Sequence, residues 1–414
     1  MKVLHLPAYF PPEKAASMYL SHNLYSAITE SGMDMVVYTP VPTRGISENE
    51  RVEYHNRLNE ILYDGKMNLH RFLLMKEGKN AIIRAFRYLM CNIKQFWKGA
   101  FAKEAKECDV MFIMSTPPTQ GAMGALVKKF SNMPLVYNLQ DIFPDSLINN
   151  GLAKQGGLLW KIGRKIENFT YKNADKIIVI SEDFKKNIMA KGVPEKKIEV
   201  IYNWVDQNAV TDIPREKNIL FDTYGLDRMK FYITYNGNIG LSQNMDLLIS
   251  VAEDFMSEFP DIQFVLVGEG AYYDAVKRLI KEKKLINVHL LPFQPYEVIS
   301  HVFSLGDASL VISKPGTGSA SVPSKTWSIM SASRPVIANF DENELKSIIE
   351  NNQCGIFSKA GDKEGLKKAI LTLYNNPELC RIYGNNGRKF VLDNLTKEVG
   401  TQKYVDVIKS VVRK

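Results

Sequence analysis

Residues Ser313 to Ala338 read SKPGTGSASVPSKTWSIMSASRPVIA. The apolar run before it ends at Ile312, a strand giving way to a loop of Gly, Ser and Thr. Pro323-Ser324-Lys325 then opens a short helix, and Pro335-Val336-Ile337 begins another strand. A small-residue loop that feeds a helix start offers backbone N–H groups to an anion. Lys314 and Lys325 add mobile positive charge, and the small side chains let a ligand approach the main chain. A diphosphate fits this description, and so does a solvated loop between two core elements; spacing alone leaves both readings open.

Outward from this stretch, β-rich runs alternate with segments of helical period. Val3–Leu6, Met35–Thr39, Val110–Met114, Leu135–Asn138, Lys176–Ile180 and Glu199–Tyr202 form one series. Phe231–Tyr235, Gln263–Val267, Val288–Leu291, Ser309–Ile312, Val336–Asn339 and Gly355–Phe357 form a second. Continuous apolar strands separated by helices imply parallel sheets covered on both faces. The expected fold is therefore α/β, with two Rossmann-like doubly wound domains and ligands held where strand C-termini face a cleft. Residues 1–203 make the first domain and 204–394 the second, with Asn203 to Asn218 read as the linker because of Pro214 and its mixed charge.

A length of 414 residues suits two such cores. Four scattered cysteines, Cys91, Cys108, Cys354 and Cys380, show neither disulfide nor zinc spacing. No metal site is expected, and a reducing compartment fits. No apolar run reaches the ~18 residues of a spanning helix, and Pro7 interrupts the first strand too early for a signal peptide. A formal charge of +8 admits nucleic acid, an anionic membrane or a polyanionic substrate.

Lys79 to Lys103 is the segment that narrows this choice. Ile82, Phe86, Leu89, Ile93, Phe96, Trp97 and Ala100 recur at three- and four-residue steps, while Arg84, Arg87, Lys94 and Lys98 share the other face. An interfacial helix on an anionic membrane has this pattern. An amphipathic helix packed on the first sheet has it too, with its apolar face inward. Nucleic acid is disfavoured, because the aromatics share a face with the aliphatics and no recognised nucleic-acid module is present.

Further candidate site residues fall at strand tips. Asp141, in Gln140-Asp141-Ile142-Phe143-Pro144-Asp145, can orient a sugar hydroxyl or take its proton, with Asp145 beside it as support or as a cap. Pro7 to Pro12 forms a lip after the first strand, before a helix opening near Ala15-Ala16-Ser17. In the second half Asn236-Gly237-Asn238-Ile239-Gly240, Gly268-Glu269-Gly270 and Pro292-Phe293 end successive strands, suiting a phosphate, a ribose and a flat base.

The order NGNIG, LVGEG, VHLLPF and VPSKTWSIMSASRPVIA, preceded by QDIFPDSL, resembles glycosyltransferase family 4 of the GT-B fold over nearly the whole chain. It is most similar to the bacterial surface-polysaccharide branch that includes L-fucosamine transferases of O-antigen assembly. The resemblance implies a retaining, metal-independent transfer of a sugar, such as an N-acetylated deoxyhexosamine, from a UDP-sugar to a lipid-linked saccharide. It needs no cofactor beyond the donor, and the first domain would hold the acceptor. By motif, Gly237, Asn238, Gly240, Lys314, Pro323, Ser324 and Lys325 would surround the diphosphate, Gly268, Glu269 and Phe293 the nucleoside, and Asp141 the transferred sugar. Asp141 and Lys325 are the expected catalytic residues. A C-terminal helix at about 395–414 would cross back to the first domain.

The chain departs from the family pattern at Asn238 and Gln243, where an Arg and a Lys are common, and at Ala320 and Ser328, where two glutamates are common. Glu342 or Glu344 could supply a replacement carboxylate, although helix capping explains them as well. The expected partners are a nucleotide sugar, a polyprenyl-diphosphate-linked saccharide and an anionic membrane surface contacted through about 79–103. The protein is expected in the cytoplasm, peripheral on the inner face of a bacterial cell membrane. Rival readings are a UDP-sugar 2-epimerase of the same fold and a catalytically silent nucleotide-sugar-binding partner.

Overall fold

A computed structural model describes residues 1–13, 18–78, 80–149, 154–318 and 322–412. The chain divides into two compact units, Met1–Tyr202 with Glu398–Lys414, and Asn203–Lys397. In the first, β1 (Lys2–His5), β2 (Asp34–Pro40), β3 (Asn59–Leu62), β4 (Met67–Phe72), β5 (Val110–Met114), β6 (Leu135–Leu139), β7 (Lys176–Val179) and β8 (Ile198–Val200) form one sheet. Its order is β3-β4-β2-β1-β5-β6-β7-β8. The second unit holds β9 (Phe231–Asn236), β10 (Ile262–Val267), β11 (Val288–Leu291), β12 (Ala308–Ile312), β13 (Val336–Phe340) and β14 (Gly355–Lys359), ordered β11-β10-β9-β12-β13-β14.

Every strand pair in the second sheet is parallel, and β12 and β13 are buried along their whole length. Both faces are covered, so these strands read as unbroken apolar runs. The order reverses between β9 and β12, the switch point at which open α/β sheets leave a crevice.

Three expectations require correction. The first sheet is not wholly parallel: β3 runs antiparallel to β4, and β4 parallel to β2. Met67, Leu69 and Arg71 of β4 are buried while the residues between them are not, so this strand lacks a continuous apolar run. A turn through Tyr63, Asp64 and Gly65, all at positive φ, closes the hairpin. Second, Asn203 to Asn218 is not a free linker. The Thr211 and Ile213 N–H groups donate to Ser300 Oγ and Ser304 Oγ, and Asn218 Nδ2 donates to the His301 carbonyl, so the segment is laced to its own unit.

The third concerns helix Ala81–Phe101, the described part of the segment beginning at the undescribed Lys79. Its apolar face is turned outward. Ile82 is 80% and Trp97 60% exposed, whereas Arg87, assigned to a solvated basic face, is 0% exposed and Gln95 equally buried. Buried polar groups need partners, and most of these atoms have them, Arg87 Nη1 being the exception. Arg87 Nε donates to the Met75 carbonyl and its Nη2 to Thr43 Oγ1, while Gln95 Nε2 donates to the carbonyls of Pro7 and Tyr38. Of the apolar face only Phe96 and Ala100 pack inward, Phe96 against the core and Ala100 buried, while Ile82, Phe86, Leu89, Ile93 and Trp97 are exposed.

Helix Lys397–Ser410 lies on the first unit from Glu398 onward. Tyr404, 1% exposed, donates from its hydroxyl to Asn138 Oδ1 at 3.1 Å and accepts from Gln140 Nε2 at 3.3 Å.

Candidate functional site

In the second unit the tips of β9 and β10 form a paired turn in which backbone touches backbone. The Gly237 N–H donates to the Val267 carbonyl and the Ile239 N–H to the Glu269 carbonyl. A Cβ on Gly268 would stand 2.0 Å from the Gly237 carbonyl oxygen, so no side chain fits there. Gly237 and Gly268 also have φ of +129° and +149°, a region that only glycine adopts cheaply. Gly237, Asn238, Gly240, Gly268 and Glu269 are thus brought together. The Gly240 N–H is held by Gln243 Oε1, and the Asn238 carbonyl accepts from the Tyr235 hydroxyl at 2.6 Å.

The Ser313–Gly318 loop docks on this turn. The Lys314 N–H and the Thr317 hydroxyl both donate to the Ser242 carbonyl, and Lys314 Nζ lies 5.7 Å from the centre of the Tyr272 ring. A carboxylate that sequence reasoning passed over holds the loop. Asp341 accepts from the Gly316 and Gly318 N–H groups through its two oxygens, at 2.9 and 2.7 Å. Glu342 is ion-paired to Lys346, and Glu344 sits in the first turn of helix Glu344–Asn351, capped by Asn343. The signal for Asp341 was its place just past β13, but which tip carboxylate folds back depends on the loop's path.

Lys325 is the first residue of helix Lys325–Ser331, with Ser324 before it at the cap. Its Nζ lies 3.9 Å from the centre of the Tyr235 ring and 3.1 Å from where a Gly237 Cβ would be. Among the described residues no carboxylate pairs with it. Burial without such a partner lowers its amine to about 7. Asn236 and Ser313, at the ends of the adjacent strands β9 and β12, are buried with side-chain polar atoms that have no hydrogen-bond partner. Pro323 is partly buried and Ser324 exposed. Phe293, two residues beyond β11, is 68% exposed, and the Leu291 carbonyl two residues before it accepts from the Gly268 N–H. Ala320 lies outside the described residues, as do Ala15, Ala16 and Ser17.

Asp141 follows β6 in the first unit and is exposed. Desolvation by the surrounding protein raises its carboxyl above the usual aspartate value; Asp145 adds to the rise, while hydrogen bonds from Ser146 and the Ile142 N–H oppose it. Asp145 is committed elsewhere, accepting from Lys191 Nζ at 2.7 Å and Asn187 Nδ2 at 3.2 Å. Of the two, Asp141 is the more exposed, and it too accepts hydrogen bonds, from Ser146 and the Ile142 N–H.

The whole-chain architecture is shared with Anabaena HepE, whose crystal structure is a complex with UDP: TM-score 0.74, 15% identity, 99% of this chain and 100% of that one. The fold is GT-B. Residues 20–209 match the family described as Glycosyltransferase Family 4, and residues 216–390 match Glycosyl transferases group 1. Probable glycosyltransferase WbjE of Pseudomonas aeruginosa is 22% identical over 341 residues, 81% of each chain. Putative colanic acid biosynthesis glycosyl transferase WcaI of Escherichia coli is 27% identical over 212 residues, 50% of this chain and 51% of that one. The protein is a glycosyltransferase, with a family 4 domain in its first unit and a group 1 domain in its second.

Proposed function

We propose that this enzyme moves an N-acetylated deoxyhexosamine from a UDP-sugar to a polyprenyl-diphosphate-linked saccharide, with retention of configuration, in O-antigen or capsule assembly. It works in the cytoplasm, on the inner face of a bacterial cell membrane that helix Ala81–Phe101 contacts. The observation that carries the donor assignment is Lys325, a partly buried lysine with a desolvated amine and no carboxylate partner among the described residues, beside a glycine turn at the switch point of the sheet. The UDP in the HepE complex supports the choice of nucleotide, and the name of WcaI supports a surface polysaccharide as product.

The residues suit a leaving diphosphate. Lys325, protonated, meets the charge that develops as the glycosidic C–O bond breaks, and Lys314 and the loop held by Asp341 add to it. Charge stabilisation by fixed amines fills the role that a metal ion takes in other transferases, and the reaction as proposed requires neither metal nor cofactor. Asp141 orients a hydroxyl of the transferred sugar. The acceptor hydroxyl attacks from the face the diphosphate leaves, and its proton passes to a phosphate oxygen, which gives retention.

Titration with UDP tests the assignment. Lys325→Ala should weaken UDP about tenfold or more, the worth of one charge-assisted contact in a desolvated site, with the melting temperature maintained; unchanged affinity overturns the role of Lys325. Incubating enzyme and UDP-sugar without acceptor separates the rival chemistry, since interconversion of the sugar itself would mark an epimerase.

A further inference from the structure

In the second unit the turn Asn351-Asn352-Gln353 and the last turns of helix Pro377–Asn394 line a cavity of about 280 Å3. The turn ends helix Glu344–Asn351 and leads into β14, so it lies where the strands of the sheet begin. The glycine turns at 237–240 and 268–270 follow β9 and β10, and the strands from β10 through β9, β12 and β13 to β14 are parallel. Cavity and glycine turns are thus at opposite ends of the strands, and a ligand of the cavity is not the nucleotide. Gly384 and Gly387 bring the helix close to Ser333 and Met330, where a Cβ would stand 2.1 Å from the Ser333 oxygen and 3.0 Å from Met330 Cγ. That close packing fixes the next helix face, on which Asn386, Phe390 and Asn394 follow at four-residue steps.

Three of the amides in the cavity are oriented by main chain. Asn352, Asn386 and Asn394 donate through Nδ2 to the carbonyls of Ile348, Gln353 and Phe390 at 2.8, 2.9 and 2.9 Å, and each Oδ1 is left without a partner among the described residues. Asn351 and Gln353 are exposed, and their amides make no hydrogen bond among the described residues. Gln353 stands at φ +46°, where glycine or asparagine is the cheaper residue at a helix end. Phe390, partly exposed, is backed by Trp327 with ring centres 6.2 Å apart and gives the cavity an apolar wall. Lys389 and Asp393 neutralise each other at 2.6 Å. A cavity of about 270 Å3 at the start of β12 is different: its Arg215, Arg334 and Arg381 are already ion-paired, to Asp307, Asp212 and Glu378.

Fixed amide oxygens accept from hydroxyl groups, free amide N–H groups donate to them, and a ring wall suits the C–H face of a pyranose. An apolar ligand would leave the amides unsatisfied, and an anion would find no net positive charge. We infer that this cavity is a second carbohydrate site, which holds a neutral sugar unit of the saccharide acceptor or product away from the reacting centre. Holding one unit raises the effective concentration of the chain at the enzyme between transfers. The inference goes beyond the transfer itself and rests on the glycosyltransferase family, not on the donor proposed above.

Saturation-transfer difference NMR on the full chain tests this, with and without saturating UDP. The probes are maltose, cellobiose, lactose and di-N-acetylchitobiose, with glucuronic acid as the anionic arm. At least one neutral disaccharide should bind in the millimolar range, whether or not UDP is present. Asn351→Ala with Gln353→Ala, and separately Phe390→Leu, should each weaken that binding about tenfold or more, the scale of one or two hydrogen bonds or of a ring contact. The first pair removes side chains that bond to nothing in the protein and the second keeps a side chain against Trp327, so melting temperatures should hold. Absence of binding by all four disaccharides overturns the site, as does undiminished binding in either variant. Binding that UDP displaces also overturns it, in favour of the sugar pocket beside the nucleotide, and stronger binding of glucuronic acid overturns the neutral ligand. Because UDP binding is read separately on the same samples, failure of this site and failure of the donor assignment remain distinguishable.

Discussion

Among the described residues Arg87 in the first unit, fully buried, and Lys325 in the second, partly buried with its amine desolvated, have no carboxylate bonded to them, and the two are treated differently. Arg87, in the first unit, has the Met75 carbonyl and Thr43 Oγ1 as acceptors and the Tyr9 ring 5.7 Å away. Glu13 stands behind Thr43, taking its N–H at 2.8 Å. Lys325, in the second unit, has the Tyr235 ring and no hydrogen-bond acceptor among the described residues. A guanidinium with fixed acceptors is part of the framework, since its charge is answered before any ligand arrives. An ammonium without them is held near its titration point and gains most from an incoming anion. Burial alone therefore does not mark a site, and neither does one unfilled bond, since Arg87 Nη1 also lacks a partner; what sets Lys325 apart is that its ammonium has no acceptor at all among the described residues.

Removing each cation should expose the difference. Arg87→Ala leaves the acceptors on Met75 and Thr43 bare and Glu13 without its nearby positive charge. We expect a loss of about 3 kcal/mol from the first unit, the scale for stranding buried polar partners, seen as a lower urea midpoint. Lys325→Met should show no such loss, because it strands no acceptor. Equal destabilisation by the two substitutions would end the contrast.

The contrast was only partly legible in the amino-acid sequence. The glycine turns at 237–240 and 268–270 could be read because glycine next to an apolar strand has few other uses, and Lys325 because it opens a helix beside Ser324. Periodicity placed Arg87 with Arg84 and Lys98, but it says which residues share a helix face and not which face meets the sheet. That choice came from polar acceptors supplied by residues 7, 38, 43 and 75, all distant in sequence. Strand β4 was hidden for a related reason: one strand in from the sheet edge, its alternate positions stay partly exposed, and alternation over six residues is weak evidence. Asp341 gave no local sign of reaching back to Gly316 and Gly318.

A smaller effect sharpens the contrast from the Lys325 side. Gly268→Ala would push the Gly237 carbonyl away, as a Cβ at 268 would stand 2.0 Å from its oxygen at a φ of +149°, and would so disturb the turn against which Lys325 Nζ lies. An expected cost of about 2 kcal/mol in UDP affinity follows from moving a strained glycine turn. Calorimetric titration reads it, and an affinity within about twofold of the parent would mean that the paired turn does not shape the nucleotide site.

The smallest effect, and the most specific, is in pH. The free amine of Lys325 lies at about 7 through burial, and a bound diphosphate would raise it by placing negative charge against it. The protonated amine is the form that binds. Below about 7 it is already present, so its contribution to affinity is flat; above 7 each binding event must take up a proton, and affinity should fall by up to tenfold per pH unit. The neighbouring Tyr235 phenol does not compete, because burial raises it far above this range. The unliganded protein shows the converse: between 7 and the ordinary lysine value the unfolded chain binds the extra proton, so stability rises with pH across that window. Titrations at pH 8 in buffers of different ionisation enthalpy should report close to one proton taken up per UDP, and Lys325→Met should abolish that uptake. Uptake that persists in Lys325→Met would assign the proton to another group and leave Lys325, like Arg87, a buried cation of the framework.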